Sequence, residues 1–255
     1  MKTIVVANHK GGVGKTTTSL SLGAGLHRKG FKVLLVDLDP QLNLSYTCGI
    51  YKHEDLKGCC LFDYFHRHPQ NITIDNCIFQ IYDDRADFDI IVGGMDLRNA
   101  ETDKDILLDS LKKALMNLSV DYDYVVIDVP PTQGKLVKMA ITAADDVIIP
   151  IKPDVFSVQG LGSLIEVIHK TNPDINLVGL LMIEVKHRTT FNRVLLDEAD
   201  TLAQKYGTKL FEQYIHSSIK IPESQAKQQS IYDYAPRNTV AKDYESFVDE
   251  YLKGV

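Results

Sequence analysis

Apolar runs and amphipathic stretches alternate along the whole chain. Six runs are rich in β-branched residues and almost continuously apolar, which is typical of strands buried on both faces of a sheet. These runs cover residues 3–8, 32–39, 88–94, 122–130, 146–153 and 175–185. Because helical patterns separate them, we expect right-handed crossovers. The pattern predicts an α/β fold, with a doubly wound, mostly parallel sheet flanked by helices.

Seven other segments have the apolar spacing of helices. They cover residues 15–29, 103–118, 134–144, 157–171, 190–206, 222–230 and 238–252. Residues 48–87 show no clear helix or strand pattern, because Cys, His, Asp and Asn cluster there. No repeat, low-complexity tract or linker interrupts the alternation. We therefore expect a single domain over residues 1–255.

Length, charge and hydrophobicity limit the kinds of protein that this chain can be. With 255 residues and 44% hydrophobic content, the chain can build one sizeable α/β core. The formal net charge of −6 gives no overall basic character, although residues 180–242 carry nine Lys and Arg against seven Asp and Glu. That excess is compatible with a local basic surface and equally with an ordinary mixed surface. No apolar run of 18 residues occurs, so we expect a cytoplasmic protein without a membrane partner.

The cysteines do not predict a metal site. None of the four has C-x-x-C spacing, and Cys59 and Cys60 are adjacent. His66 and His68 follow this pair, but no spacing typical of zinc ligands is present. Reduced thiols are therefore the expected state.

A glycine-rich stretch, K-G-G-V-G-K-T, follows the first predicted strand and opens the first helix. An ordinary P-loop, G-x-x-x-x-G-K-[ST], would place glycine where His9 stands. Glycines without Cβ let the backbone aim its N–H groups at phosphate, and the helix start adds a positive dipole end. Lys15 would contact the β- and γ-phosphates, and the Thr16 hydroxyl would bind Mg²⁺. The residues that we assign to this phosphate site are Lys10, Gly11, Gly12, Val13, Gly14, Lys15, Thr16 and Thr17.

Three aspartates stand at the ends of predicted strands. Asp37 and Asp39 follow the second strand, and Asp128 ends the fourth. The carboxyl edge of an α/β sheet is where ligands bind. Taken alone, each aspartate could equally cap the next helix or turn. Beside a phosphate loop, we interpret Asp128 as holding a water on Mg²⁺.

The early lysine, Lys10, makes the loop resemble the deviant Walker A motif of the ParA/MinD family of P-loop NTPases. V-L-L-V-D-L-D-P-Q-L-N-L-S-Y-T-C-G (33–49) resembles the A′ motif of ParA-type proteins, and Y-D-Y-V-V-I-D-V-P-P-T-Q-G (122–134) resembles their Walker B motif and switch II. Residues 147–161 resemble the strand and loop that follow. The resemblance covers most of the chain and is weakest over residues 50–87.

The resemblance implies an ATP hydrolase with ATP and Mg²⁺ as cofactors and a homodimer in the ATP state. It implies that Lys10 reaches the phosphates bound by the partner subunit. It also implies that Asp39 positions or deprotonates the attacking water, and that Asp37 and Asp128 hold Mg²⁺ through water. Lys10, Lys15 and Asp39 are the catalytic residues by this resemblance.

The adenine loop departs from the family. Many ParA proteins carry P-R-N there, whereas His216, Ser217 and Ser218 occupy those positions here. We assign these three residues to nucleotide binding by position. The resemblance constrains the base contacts less than the phosphate contacts.

This chain lacks sequence features that are typical of several branches of the ParA/MinD family. The chain ends A-K-D-Y-E-S-F-V-D-E-Y-L-K-G-V, which is acidic and unlike the basic membrane helix of MinD-type proteins. No cysteine follows Cys77, which argues against the iron–sulfur branches. The few residues before Thr3 leave no room for the helix-turn-helix domain of larger ParA proteins. We therefore expect the short, ParA/Soj-like form.

That form implies ATP-dependent, sequence-blind DNA binding, a ParB-like activator, plasmid or chromosome segregation, and a cytoplasmic, nucleoid-associated location. The family's DNA-contacting positions align with Arg188 and Lys220, and Lys186, Arg193 and Lys227 could extend that patch; ordinary solvated side chains are the alternative. A second interpretation is a positioning switch for a protein assembly, with DNA binding secondary. A metabolic ligase is disfavoured because it would not need Lys10.

Overall fold

The computed structural model describes residues 1–50, 58–67, 72–81, 87–154, 160–186 and 190–254, and for residues 67 and 190–193 it describes the backbone alone. The strands of these ranges are β1 (Lys2–Val6), β2 (Val33–Asp37), β3 (Ile78–Gln80), β4 (Phe88–Val92), β5 (Tyr124–Asp128), β6 (Asp146–Ile151) and β7 (Asn176–Met182). They form one sheet in the order β3-β4-β2-β5-β1-β6-β7. Each neighbouring pair is parallel except β3 with β4. The predicted doubly wound, mostly parallel sheet is confirmed.

Helices cover both faces of this sheet. They are α1 (Lys15–Arg28), α2 (Asn43–Thr47), α3 (Leu61–Arg67), α4 (Ser110–Met116), α5 (Lys135–Ala143), α6 (Leu161–Thr171), α7 (Thr190–Lys205), α8 (Lys220–Ala226), α9 (Ile231–Tyr234) and α10 (Thr239–Lys253). Two 3₁₀ helices, Ile74–Cys77 and Met95–Glu101, join them. One apolar cluster packs α3 to α7 on one face, and a second packs α1, α9 and α10 on the other.

Strand β2 shows why the apolar runs are continuous. Leu34 and Val36 belong to the first cluster, and Val33 and Leu35 belong to the second. Successive side chains of a strand point to opposite faces, so a strand between two helical layers needs apolar residues at every position. Burying each of these side chains contributes about 1.5–3 kcal/mol.

Several elements differ from the sequence prediction: helices α2, α3 and α9 were not predicted, and β3 and α4 also depart from it. Strand β3 was not predicted, because only three residues of the region 48–87 pair with the sheet, antiparallel at its edge. The predicted helix over 103–118 begins only at Ser110. Asp103 Oδ1 accepts from the backbone N of Asp105 at 2.8 Å, and Ser110 Oγ accepts from that of Leu107 at 2.9 Å. These local side-chain bonds replace the helical ones.

The sheet brings the ends of its central strands together. Asp37 at the end of β2 pairs in register with Asp128 at the end of β5, and Asp128 pairs with Val6 of β1. The loop that follows β1 therefore begins beside both carboxylates, and parallel neighbours lie about 4.8 Å apart.

Candidate functional site

The loop between β1 and α1 is built on left-handed glycines. Gly12 and Gly14 have φ of 70° and 68°, which side chains other than glycine rarely adopt. Gly14 also precedes the first residue of α1, and a Cβ there would lie 2.4 Å from Ile183 Cδ1. This backbone lets successive N–H groups converge at the start of the helix, where an anion is favoured.

Lys15 is buried inside this loop, with 7% of its surface exposed. Its Nζ donates to the carbonyl oxygen of Lys10 at 3.2 Å. Burial lowers the pKa of Lys15, and the charges of Asp128 and Asp39 oppose that shift. The chain therefore holds an ammonium group at the floor of the loop, where it could pair with phosphate oxygens.

Thr16 and Asp128 contact each other directly. Thr16 Oγ1 donates to Asp128 Oδ2 at 2.7 Å, and Ser19 Oγ donates to Asp128 Oδ1 at 3.2 Å. Burial, with the nearby charge of Asp37, raises the pKa of Asp128 to about 7, while the hydrogen bond from Thr16 opposes the rise. A hydroxyl beside a buried carboxylate suits Mg²⁺, which binds oxygen ligands and retains waters.

Asp37 faces the start of α2. Its Oδ2 accepts from the backbone N and the Oγ of Ser45 at 2.8 and 2.7 Å, and its Oδ1 accepts from the backbone N of Asp39 at 3.2 Å. Burial raises its pKa to about 6, and the bonds from Ser45 oppose the shift. The carboxylate thus fastens the loop between β2 and α2, beside Asp128 in the neighbouring strand.

Asp39 lies closer to the opening of the site. Only 6% of its surface is exposed, and its Oδ1 accepts from the backbone N of Gln41 at 2.9 Å. It lines the same cleft as Gly11 and Lys15. A carboxylate at this position can orient a water toward a phosphate seated on the loop.

The cleft has two adjoining parts. A polar part of about 600 Å³ is lined by the phosphate loop together with Asp39 and Pro131. A smaller part of about 310 Å³ has apolar walls from Ile215 and Ile221. The two parts share Gly14, Thr17, Glu184, Ile221 and Pro222. A larger groove of about 640 Å³, between α6 and α7, contains none of the predicted site residues.

His216, Ser217 and Ser218, the residues assigned to the adenine loop by sequence position, all line the smaller part. Asp243 of α10 holds the imidazole of His216, with Oδ2 2.8 Å from Nδ1. Ser218 Oγ donates to Asn238 Oδ1 at 3.3 Å. The backbone here pairs with the segment that follows β7, through an isolated bridge between Val185 and His216.

Helix α8 also contributes a residue that the sequence did not suggest. Gln225 Nε2 donates to Thr17 Oγ1 at 3.0 Å, so this helix closes over the phosphate loop. Tyr244 of α10 lies behind, with its hydroxyl 3.4 Å from Thr18 Oγ1. These partners are more than 200 residues away in sequence, and no local pattern marks them.

Lys10 directly precedes Gly11 in the loop, and it is not among the residues that line either part of the cleft. Its Nζ forms an ion pair with Asp154 Oδ1 at 2.7 Å, and its backbone N donates to Asn8 Oδ1 at 2.9 Å. Both charged side chains are partly exposed. Asn8 in turn donates to the carbonyl oxygen of Pro150 at 2.8 Å, which ties the loop to β6.

The loop after β5 is clamped at its far end. Glu101 accepts from the backbone N of Lys135 at 2.6 Å and from that of Leu136 at 3.4 Å, at the start of α5. A Cβ on Gly134 would lie 2.5 Å from the carboxylate of Glu101. Lys135 Nζ donates to the carbonyl oxygen of Asp103. Sequence reasoning did not single out Glu101.

The predicted DNA-binding residues are only partly described. Lys220, in the first turn of α8, pairs with Glu223 Oε2 at 2.7 Å. Lys186 and Lys227 are exposed. Arg188 lies outside the described residues, and so does the side chain of Arg193.

The described ranges contain neither a candidate metal cluster nor a candidate membrane span. There, His, Cys, Asp and Glu side chains form no group of three or more that could hold a metal ion. Burial raises the pKa of the Cys60 and Cys77 thiols to about 12, and His68 lies outside the described residues. None of the helices in these ranges combines the length and hydrophobicity that a transmembrane span requires.

Known proteins resemble the chain over its full length. Residues 1–178 match the family described as AAA domain. The sporulation initiation inhibitor protein Soj of Bacillus subtilis is 30% identical, over 95% of this chain and 95% of that protein. A structure of a plasmid partition protein of Borrelia burgdorferi bound to AMPPNP is 26% identical, with a TM-score of 0.84 over 100% of this chain and 99% of that one.

A further solved structure is that of cobyrinic acid a,c-diamide synthase of Mycobacterium smegmatis with bound ADP and magnesium. It is 30% identical, with a TM-score of 0.81 over 99% of this chain and 94% of that one. The resemblance inferred from the deviant Walker A loop is confirmed by the family match and by the partition proteins. The chain belongs to the AAA domain family and, within it, to the ParA/Soj-type partition ATPases of the ParA/MinD group.

Proposed function

We propose that this ATPase dimerises with ATP and Mg²⁺, binds DNA non-specifically in that state, and drives plasmid or chromosome segregation with a ParB-like activator. The observation that carries the proposal is Lys10, a second lysine in the loop whose other lysine, Lys15, lines the cleft and donates to the Lys10 carbonyl. A monomeric phosphate site has no need of it. Residues 1–255 would act as one domain, in the cytoplasm and on the nucleoid.

The two-part cleft supports ATP as the nucleotide. Lys15 and the loop amides would hold the phosphates in the polar part, and the smaller part would take the base. Mg²⁺ would be held by Thr16 directly and by Asp37 and Asp128 through water. Once bound, it would offset the charge on the β- and γ-oxygens. The AMPPNP of the B. burgdorferi protein and the ADP and magnesium of the M. smegmatis protein support this assignment.

Asp39 would serve the hydrolytic step. It lines the polar part of the cleft and is held by the backbone N of Gln41. Its carboxylate would orient a water for attack on the γ-phosphate. Hydrolysis would stay slow until the activator protein completes the arrangement.

Lys10 would act across the dimer interface. Its side chain would exchange Asp154 for the phosphates bound by the partner subunit. Two triphosphates brought together across a two-fold axis repel each other, and two lysines placed between them would offset that repulsion. Dimerisation would therefore depend on the γ-phosphate.

DNA binding is assigned to Arg188, Lys220, Lys186, Arg193 and Lys227. Contacts from such residues to phosphates would be blind to sequence and sensitive to salt. Because Lys220 pairs with Glu223, its use for DNA would require that exposed pair to open, which costs little.

Co-sedimentation with DNA tests the proposal. We expect binding with ATP, none with ADP, and a steep loss as salt is raised. Arg188→Glu combined with Lys220→Glu should abolish DNA binding and leave ATP affinity unchanged. DNA binding retained in this double variant would place the binding surface elsewhere. An ATP dimer that never binds DNA would favour the positioning switch for a protein assembly.

The M. smegmatis synthase supports a second candidate, an ATP-dependent amide-forming ligase. Such an enzyme would consume ATP in step with a carboxylic acid and an amine donor. DNA with an activator protein would not change its rate, and Lys10→Ala would leave turnover intact. Measuring ATP hydrolysis by the Lys10→Ala variant separates the two functions.

A further inference from the structure

The smaller part of the cleft contains a histidine whose orientation is fixed from behind. His216 lines this part, between the apolar side chains of Ile215, Ile221 and Pro222. Its side chain is 39% exposed, whereas its partner Asp243 is buried in α10. The imidazole therefore stands between a buried carboxylate and the open pocket.

Asp243 determines which ring nitrogen carries the proton. Its Oδ2 lies 2.8 Å from His216 Nδ1 and also accepts from the backbone N of His216 at 2.9 Å. Its Oδ1 accepts from Gln213 Nε2 at 3.3 Å. A carboxylate can only accept, so the proton of the neutral ring stands on Nδ1. Nε2, which points away from Asp243, then presents a lone pair.

We propose that the His216–Asp243 pair makes this pocket select purines with a 6-amino group over purines with a 6-oxo group. Nε2 of His216 accepts a hydrogen bond from the exocyclic amine of adenine. The carbonyl at the same position of guanine or hypoxanthine instead meets the lone pair of Nε2, and neither group can donate. Asp243 is a positioning residue, because it acts on the base only through the ring. The inference rests on the proposed nucleotide site.

The surrounding side chains determine how strongly the His216–Asp243 pair can discriminate between the two kinds of base. Ile215 and Ile221 provide no polar group. The other polar side chains of this lining have partners of their own, because Ser218 bonds Asn238, Tyr244 bonds Thr18, Thr17 bonds Gln225 and Glu184 pairs with Lys152. Ser217 is the remaining hydroxyl in the lining that could contact the base. An unpaired polar group in a desolvated pocket costs more than a hydrogen bond contributes. We therefore expect discrimination on the order of 10-fold to 100-fold between the two kinds of base.

Calorimetry on the full chain, with ADP, IDP and GDP in the presence of Mg²⁺, tests the inference. Diphosphates avoid hydrolysis and dimerisation, and IDP differs from ADP at the 6-position without the 2-amino group of GDP. Wild type should bind ADP more tightly than IDP by the stated factor. His216→Ala and His216→Phe should bring the ratio of the two affinities close to one, chiefly by weakening ADP. His216→Phe keeps a flat ring and removes both nitrogens.

Variants of Asp243 separate positioning from packing. Asp243→Ala should lose the preference for ADP and retain the affinity for IDP. Asp243→Asn should retain the preference, because its carboxamide oxygen can still accept from Nδ1. His66→Ala is the matched control, since His66 pairs with Asp103 at 3.0 Å and lines neither part of the cleft.

An unchanged ratio in His216→Ala and His216→Phe would overturn the inference while leaving the nucleotide site intact. Equal affinities of the wild type for ADP and IDP would do the same. Failure of the wild type to bind any of the three diphosphates would overturn the nucleotide site itself, and this inference with it.

Discussion

The ammonium of Lys10 lies 2.7 Å from the carboxylate of Asp154, within one chain. The lysine that distinguishes this loop from an ordinary P-loop is therefore paired in the single subunit. Its backbone carbonyl meanwhile accepts from Lys15, at 3.2 Å. One residue thus connects the phosphate lysine and the segment after β6.

Lys10→Ala should separate nucleotide binding from dimerisation. ADP affinity should stay close to that of wild type, because Lys15 and the loop amides hold the phosphates. ATP-dependent dimerisation and DNA binding should be lost, and hydrolysis should fall on the order of 100-fold or more. Calorimetry measures the ADP affinity, light scattering the dimerisation, co-sedimentation the DNA binding, and a phosphate-release assay the hydrolysis. A Lys10→Ala variant that dimerises and turns over like wild type would refute action across the interface.

Asp154→Asn should make dimerisation easier. The exposed pair with Lys10 is worth about 0.2–1 kcal/mol, so removing the charge should lower the ATP concentration needed for dimerisation by a factor of about 1.4 to 5. Titration with ATP, followed by light scattering, measures the ATP concentration at which the protein dimerises. Asp109→Asn is the matched control, because Asp109, just before α4, pairs with Lys113 at 2.8 Å and lines neither part of the cleft. The same shift in both variants would mean that the effect is one of net charge.

Asp39→Ala should bind ATP and retain the dimer. The phosphates are still held by Lys15, but no carboxylate orients the water, so hydrolysis should fall by about 100-fold or more. Size-exclusion chromatography with ATP should show a persistent dimer. Mixed with Lys10→Ala subunits, it tests whether one intact lysine per interface suffices. Wild-type turnover in Asp39→Ala would assign the water to another group.

Asp37 and Asp128 should make stability depend on pH. Their folded pKa values, about 6 and about 7, lie above the ordinary value near 4. The folded state therefore favours the protonated forms, and the stability they contribute is fully present below about pH 4 and lost as the pH rises through 6 and 7. At about 1.4 kcal/mol per pKa unit, the two shifts together correspond to a loss on the order of 7 kcal/mol.

Thermal unfolding of the nucleotide-free protein between pH 5 and pH 8 measures this dependence. Asp37→Asn cannot ionise, so it should raise the Tm at pH 8 and flatten the curve relative to wild type. Asp75→Asn serves as control, because Asp75 bonds Ser119 far from the cleft. If Tm depends on pH in the same way for Asp37→Asn and wild type, ionisation of Asp37 does not destabilise the folded state, and the prediction is wrong.

The sequence predicted the parts of the site that lie within one loop or one strand end. Lys15 and Thr16 follow from the spacing of glycines, and Asp128 follows from an apolar run that stops at a carboxylate. Asp154 and Gln225 reach the loop only through the order of strands and helices. No spacing in the sequence records that order, because it arises from packing between distant elements.

Local sequence patterns are equally insufficient for residues 48–87 and for the start of α4. Strand β3 has three residues and pairs on one side only, so it needs no continuous apolar run. Helix α4 starts late because Asp103 and Ser110 bond the backbone locally. A periodic pattern indicates which face of a helix would be buried, but not where such a competing bond stops it.

The clamp at Glu101 determines how the loop after β5 can move. Asp128 fixes one end of this loop inside the sheet, and Pro130 and Pro131 restrict the backbone that follows. Glu101 fixes the other end at the start of α5. Thr132 and Gln133 are the exposed residues left between the prolines and the clamp. Only these two residues can therefore change conformation without breaking a contact of the clamp. A larger displacement of the loop must also move α5 or the 3₁₀ helix Met95–Glu101, which contains Glu101.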